Sequence, residues 1–269
     1  MNFQTVLYER VGPVGVVRLN RPESMNAVIE QMYLDLQAVL EQAREDPEVR
    51  ALVLTGTVWR RKGGDKQAFC AGADLKKHAA GERTPAQRRE YILLAHETTR
   101  RLYEFNKPVI AAINGPARGA GSELALCCDF IFMAGDATLA FTETGLGTFV
   151  GGGSTRHLAR LVGTVRAKEL IYTGRVLDGP KAVEIGLALK SLPVKDLLKA
   201  AVDFCRELAE RAPVSLAFAK ELIQKAPERD LEAVLAAETE AVLACMETDD
   251  WHEGIASFQE KRKPSFKGK

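Results

Sequence analysis

The chain has 269 residues, 46 per cent of them hydrophobic, which is room for one large domain or a domain with a smaller appendage around a substantial core. Thirty-seven basic residues against 36 acidic ones leave a net charge of +1, without the basic footprint of a dedicated nucleic-acid binder. No run of about 18 apolar residues occurs, so no membrane span is expected.

The five cysteines, Cys70, Cys127, Cys128, Cys205 and Cys245, include no Cys-x-x-Cys pair. They read as reduced thiols rather than as a disulfide framework, the adjacent Cys127 and Cys128 as core packing, and no metal site is expected. Residues 1–10 carry neither an apolar signal core nor an Arg- and Ser-rich transit pattern, and the final Lys-Gly-Lys is not a peroxisomal address. A cytoplasmic protein is expected.

In chain order, residues 14–19 form a short Val-rich run, the mark of a buried strand. Residues 26–44 follow, with Val28, Met32, Leu36, Val39 and Ala43 at helical spacing. Residues 51–55 give a second buried strand. Residues 57–67 give a charged loop holding Trp59, Arg60, Arg61, Lys62 and two glycines. That loop reads as a solvated surface rather than a phosphate contact. A polar helix is expected over 86–105, with strands over 108–113 and 130–134. From about Pro193 onward strand patterns cease, and 195–210, 214–224 and 231–246 read as helices punctuated by Pro193, Pro213 and Pro227. The pattern predicts an α/β core over 1–195 and a helical region over 196–269.

Two glycine-bearing turns follow apolar strands. One is Ala68-Phe-Cys-Ala-Gly-Ala-Asp-Leu75; the other is Asn114-Gly-Pro-Ala-Arg-Gly-Ala-Gly-Ser-Glu-Leu124, which runs into a helix start. Small residues let a ligand approach the backbone, and a helix start presents free N–H groups. Side by side, two such turns would aim a pair of donors at one oxygen, as in an oxyanion hole. Taken singly, either is equally a tight turn and nothing more.

Glu123 lies among Gly119, Ala120, Gly121, Leu124 and Ala125; Glu143 lies in Leu139-Ala-Phe-Thr-Glu-Thr-Gly-Leu-Gly147. A glutamate in such surroundings is partly desolvated, which raises its pKa toward the range useful for acid–base work. A helix-start glutamate is also a common cap. Two of them, each beside a glycine turn, suggest an acid and a base facing one pocket.

These residues resemble the crotonase superfamily, the enoyl-CoA hydratases and isomerases. The resemblance is carried by residues 68–75, by Lys107-Pro-Val-Ile-Ala-Ala-Ile-Asn-Gly115 and by Gly119-Ala-Gly-Ser-Glu-Leu-Ala-Leu-Cys-Cys-Asp129. It continues through Glu143, Gly151-Gly-Gly-Ser-Thr-Arg-His-Leu158, Lys168-Glu-Leu-Ile-Tyr-Thr-Gly174 and Gly254-Ile-Ala-Ser-Phe-Gln-Glu-Lys-Arg-Lys-Pro264. It covers nearly the whole chain, in order.

The resemblance implies a Clp-protease-like spiral of β-β-α turns and a C-terminal helical region that builds homotrimers, often paired as hexamers. It implies an acyl-coenzyme A substrate in fatty-acid or lipid metabolism, with no cofactor beyond the coenzyme A of that substrate. The amides of Ala73 and Ala120 would hold the thioester oxygen. Both glutamates would hold the water, Glu123 activating it for attack at C3 and Glu143 supplying the proton at C2. Ala71, Gly72 and Asp74 would lie along the adenine end of coenzyme A, and Phe258 and Lys261 match positions that reach coenzyme A, often that of a neighbouring subunit.

Departures from the family pattern are Ala120 where glycine is frequent, Val150 where proline is common, Arg118 where an apolar residue is frequent, and the long loop 57–67. They leave the glutamate pair intact and the acyl preference open. Alternatives are an enoyl-CoA isomerase, or a specialised hydratase, such as a methylglutaconyl-CoA hydratase with RNA-binding capacity, although nucleic acid is not an expected partner. A hydrolase with Ser122 as nucleophile would need His157 as its base, and His157 falls in an amphipathic helix beside Leu158 and Leu161. His78, His96 and His252 stand in polar contexts and read as surface residues.

Overall fold

The structure, a computed structural model, describes residues 3–60, 62, 64–80 and 83–269, the side chains of 78–80 excepted. Arg61, Gly63 and the side chain of His78 therefore lie outside the described residues.

Val6–Val11 (β1) and Val14–Leu19 (β2) form an antiparallel hairpin. Helix Glu30–Glu45 (α1) follows and buries Met32, Leu36, Val39 and Ala43, the spacing read from the sequence. It starts four residues later than that spacing suggested. Met25 and Asn26 sit in the left-handed region, at φ 53° and 56°, and Asn26 spends its side chain on the backbone of Arg21, Thr57 and Ala68. A residue committed to such a turn cannot open a helix.

Strand Ala51–Gly56 (β3) pairs in parallel with β2 and is buried along its length, which is why it reads as an unbroken apolar run. Val58–Trp59 (β4) and Lys66–Gln67 (β5) make a small hairpin within the charged loop, where Arg60 pairs with Asp65 at 3.5 Å. Two helices come next, Leu75–Ala80 (α2) and Pro85–Tyr103 (α3), the latter opened by a Thr84–Gln87 capping box with Pro85 in its first turn.

The chain then repeats one pattern twice: a strand in the large sheet, a short strand in a second sheet, then a helix. The first repeat is Val109–Ile113 (β6), Ala117–Arg118 (β7) and Ala120–Leu126 (α4). The second is Phe130–Ala134 (β8) and Thr138–Ala140 (β9), a 3-10 turn over Glu143–Leu146, and Ser154–Val162 (α5). Thr164–Thr173 (α6), Leu177–Asp178 (β10), Gly179–Glu184 (α7) and Lys190–Leu192 (β11) complete this region. The large sheet has the order β1-β2-β3-β6-β8-β11, parallel except for the first hairpin, and the second sheet has the order β10-β9-β7.

Four further helices follow: Val194–Ala209 (α8), Pro213–Lys225 (α9), Leu231–Met246 (α10) and Asp249–Glu260 (α11). The division expected after residue 195 falls in the first turn of α8, whose Leu197, Ala201, Val202 and Cys205 join the buried core cluster. From α9 onward the helices bury little of their apolar surface within the chain. Cys70, Cys127 and Cys205 are free and buried, and burial pushes the Cys70 and Cys205 thiols up to about 12, so they pack as inert core residues.

A largely shielded, half-buried ion pair fastens α9 to the core. Lys220 reaches Asp129 at 2.8 Å and the carbonyl of Lys107 at 3.2 Å, while Asp129 also accepts the amide of Val109. Removing one partner strands the other charge away from water. Lys220→Met is expected to cost about 3 kcal/mol in denaturant unfolding. Adding Asp129→Asn, which keeps an acceptor for Val109 without the charge, should recover most of that loss; no recovery would rule out the stranded charge as its cause.

Candidate active site

Parallel pairing in the second sheet assembles the site. Cys70 bridges to Ala117 in parallel, and Ala117 and Arg118 pair in parallel with Leu139 and Ala140. Just beyond these positions Gly72 comes up against Arg118 and Ala120, and Gly119 against the Glu143 carboxyl. Arg118 donates its amide to Cys70 O at 2.9 Å, and Gly119 donates to Ala140 O at 3.2 Å. These two bonds stitch the three segments together.

The turns are held by their flanks. Val28 donates its amide to Gly72 O and Asp74 donates to Val28 O, so Ala73 stands between two paired neighbours. Among the described residues the Ala73 amide has no acceptor, and neither has the Ala120 amide at the first position of α4. Gly72 has φ +92°, and a Cβ there would lie 2.8 Å from Arg118 O and 3.8 Å from Ala120 N. Only glycine allows that backbone approach without strain, and it lets the turn before Ala73 come up against the start of α4.

Glu123 lies one turn along α4 from Ala120, hence on the same face. It is 8% exposed, and its Oε1 accepts the amide of Gly151 at 2.6 Å. Burial, offset in part by that hydrogen bond and reinforced by the charge of Glu143, pushes its pKa up to about 7. Glu143 is equally buried, and burial raises its pKa too. Its Oε1 lies 2.9 Å from where a Cβ on Gly119 would stand, and its Oε2 has no hydrogen-bond partner. The arrangement thus combines two free amides with two desolvated carboxyls that feel each other's charge. It can hold an oxygen that gains negative charge and move a proton on either side of the atoms attached to it.

A family model for enoyl-CoA hydratase/isomerase matches residues 9–269. The chain belongs to the enoyl-CoA hydratase/isomerase family. It is 35% identical over 263 residues to a short-chain-enoyl-CoA hydratase of Clostridium acetobutylicum, covering 98% of this chain and 97% of that one. It is 33% identical over 266 residues to a crotonyl-CoA hydratase of Syntrophomonas wolfei, covering 99% of each. The crystal structure of an enoyl-CoA hydratase from Bacillus anthracis superposes with a TM-score of 0.91 at 37% identity, covering 99% of this chain and all of that one. The fold is the crotonase fold expected from the sequence.

Other members of the expected site lie where the family resemblance put them along the chain, but not all share one cluster. Ala71, Gly72 and Asp74 flank the Ala73 amide. Asp74 spends its carboxylate on Arg21, at 3.0 Å, and on the amide of Lys77, and its own amide on Val28 O. Phe258 and Lys261 stand apart, on α11 and at its C-cap; within one chain Phe258 lines a cleft with Val214, Trp251 and Phe266. Ser122 is no nucleophile. Its hydroxyl lies within bonding distance of the Ala117 and Ala140 carbonyls, and His157 stacks on Tyr103 at 4.3 Å, its pKa pushed down to about 4 by burial beside Arg156 and Arg160. Among the described residues no group of His, Cys, Asp and Glu could hold a metal ion, and no helix is long and apolar enough to cross a membrane.

Two contributors escaped the sequence reading. One is the Gly151 amide, a backbone donor that no residue type announces. The other is His96, exposed as expected, yet with its Nε2 3.3 Å from the point where a Cβ on Gly151 would sit. The helical spacing of His96, Thr99 and Tyr103 on one face of α3 was the available signal.

Glu123 carries a stability consequence. Its folded pKa lies above its unfolded value, so its contribution to stability is complete below about 4.5 and is lost as pH rises through about 7. Glu123→Gln, which mimics the protonated side chain, should stabilise the protein above pH 7 by at most roughly 3 kcal/mol. The gain should vanish near the unfolded pKa. Melting temperatures compared across that range test this, and a variant no more stable than the parent at pH 8 would contradict it.

Proposed function

We propose that this chain hydrates 2-enoyl-CoA thioesters to 3-hydroxyacyl-CoA, and runs the reverse reaction, with Glu123 and Glu143 as the proton-transfer pair. The observation that supports this most directly is the coupling of two buried carboxyls beside two unpaired amides, in a family whose similar members are named as hydratases. The thioester oxygen sits between the amides of Ala73 and Ala120, which stabilise it as enolate charge develops. Glu123 takes a proton from water as its oxygen attacks C3, and Glu143 gives a proton to C2. Gly151 holds Glu123 by one oxygen, which leaves the other for the water. Every species moved is a proton or a water, so the reaction uses no cofactor beyond the coenzyme A of its substrate.

Crotonyl-CoA hydration, followed by loss of the enoyl absorbance, tests this. Glu123→Gln and Glu143→Gln should each lower kcat by about 100-fold or more, since each removes a positioned proton-transfer group. Near-full activity in either variant would defeat the two-glutamate reading, and an isomerase would tolerate loss of Glu123 better than loss of Glu143. The amides need a steric probe. Ala120→Val should cost about 100-fold, the value of one well-aimed donor, while Ala120→Gly, which keeps the N–H, should stay near the parent.

The assembly we propose is a homotrimer, alone or as a dimer of trimers. Ile223, Leu231, Leu235, Val242, Leu243 and Phe258 on α9 to α11 are exposed, a larger apolar surface than a monomer usually leaves in water. In this reading Phe258 and Lys261 meet coenzyme A across a subunit boundary. Sedimentation should give a trimer or hexamer at micromolar concentration, and a stable monomer would exclude both the interface and the trans contact.

A further inference from the structure

Helix α3 runs past the catalytic cluster, and His96 is the polar side chain it presents there. His96 Nε2 and Glu123 Oε2 each lie 3.3 Å from the point where a Cβ on Gly151 would stand, so at most twice that distance separates them. Thr99, one turn further on, has its Cγ2 3.1 Å from the equivalent point on Gly152. The face of α3 that carries His96 and Thr99 is therefore the face turned to the glycine cluster.

The imidazole is unusual in being uncommitted. Among the described residues it makes no hydrogen bond, while its ionised neighbour Glu97 is held by Arg100 and Arg101. Going back along the same face, Ile92 and Leu93 are exposed, one turn before His96. Arg89, two turns before it, is exposed and among the described residues enters no ion pair. A strip of cation, two aliphatic side chains and an imidazole thus leads up to Glu123.

The direction of the acyl group connects this strip to the substrate; this step rests on the hydratase reading above. With the carbonyl held at Ala73 and Ala120 and C3 beside Glu123, an acyl group that continues past C3 on the Oε2 side of Glu123 runs along this strip. That side is lined by Gly151 and His96. An entirely apolar acyl tail laid there would cover an imidazole without giving it a partner, which costs desolvation. A group with acceptor oxygens would instead complete it. Of the acceptors, a carboxylate also gains from Arg89, the exposed cation two turns back on the same helix face.

We propose that His96 selects enoyl-CoA substrates that carry a carboxylate on the acyl group beyond C3, with Arg89 adding attraction from the same helix face. His96 is then a specificity residue of the acyl end, donating to the substrate carboxylate while the glutamates work on C2 and C3.

The test compares two five-carbon substrates, glutaconyl-CoA with its terminal carboxylate and 2-pentenoyl-CoA without it, on the parent chain and on His96→Leu, His96→Gln and His96→Arg. In His96→Leu the ratio of kcat/KM for glutaconyl-CoA over pentenoyl-CoA should fall by about tenfold or more, the size of one charge-assisted hydrogen bond at a half-open site. His96→Gln, which keeps an N–H donor of different reach, should fall between, and His96→Arg should hold the ratio. An unchanged ratio in His96→Leu, or an equal loss on both substrates as a proton relay to Glu123 would give, overturns the proposal and leaves the hydratase reading standing. A parent chain that hydrates neither thioester overturns both.

Discussion

The Cys70 carbonyl accepts the Arg118 amide at 2.9 Å, and α4 begins against that same carbonyl at Gly121, where any side chain would collide with it. This contact is backbone on backbone, so its geometry does not depend on a rotamer. It sets how far the Ala73 turn lies from the Ala120 turn, and so whether the two amides can serve one oxygen. The residues around it are small for the same reason: bulk at Gly72 or Gly121 would part the segments and separate the donors. Asn26 and Asn114 brace the surrounding loops with side-chain bonds to buried carbonyls, including Ala68 O and Gly56 O, so the turns are fixed from behind. Pre-set donors need no reorganisation when charge develops, which is where their value to a reaction lies.

The same closeness creates the carboxylate pair. β7 and β9 run in parallel, and each hands on within a few residues to a glutamate, Glu123 through α4 and Glu143 directly. Both side chains are buried, and the Gly151 amide donates to Glu123. Desolvation outweighs that one hydrogen bond, and Glu123 rises to about 7. Had either carboxyl been given an arginine, it would have stayed ionised and idle, as Asp74 is beside Arg21 and Glu97 is beside Arg100 and Arg101. The nearest cation on the second sheet is Arg118, and it is spent on Ala117 O and on Thr138 O and Oγ1.

Much of this was legible in the sequence, because the decisive elements are local. The strands β2, β3, β6 and β8 are buried along most of their length and announce themselves as apolar runs, and α10 matches its expected span residue for residue. β1 was not legible, since only Val6 of its six residues is buried and its pattern is that of an exposed edge. The short strands β7 and β9 were hidden for a different reason: two or three residues carry no periodicity, and only pairing defines them. Glu123 and Glu143 stood out through their apolar neighbours. His96 did not, because its sequence neighbours on one side are charged, and its position is set by a helix face and by glycines more than 50 residues away.

A pKa pushed up to about 7 on the residue proposed to accept a proton from water looks at first like a defect, since many such groups are then already protonated at neutral pH. Hydration, however, consumes and releases no net proton, so its equilibrium constant is independent of pH. The rate constants for the two directions must therefore share one pH dependence. In the proposed mechanism the forward direction would need Glu123 ionised and Glu143 protonated, and the reverse would need the opposite. These are two placements of one proton on the same pair, and a coupled pair titrates as a unit rather than as two residues. What the fold has to secure is a pair that carries one proton at working pH, with neither site so favoured that the other is never occupied. Burying both carboxyls does this: it raises both affinities for the first proton, and the mutual repulsion that makes the first easy to hold makes the second state, with both ionised, costly. The Gly151 amide, by donating to the ionised form of Glu123, offsets part of the rise that burial causes.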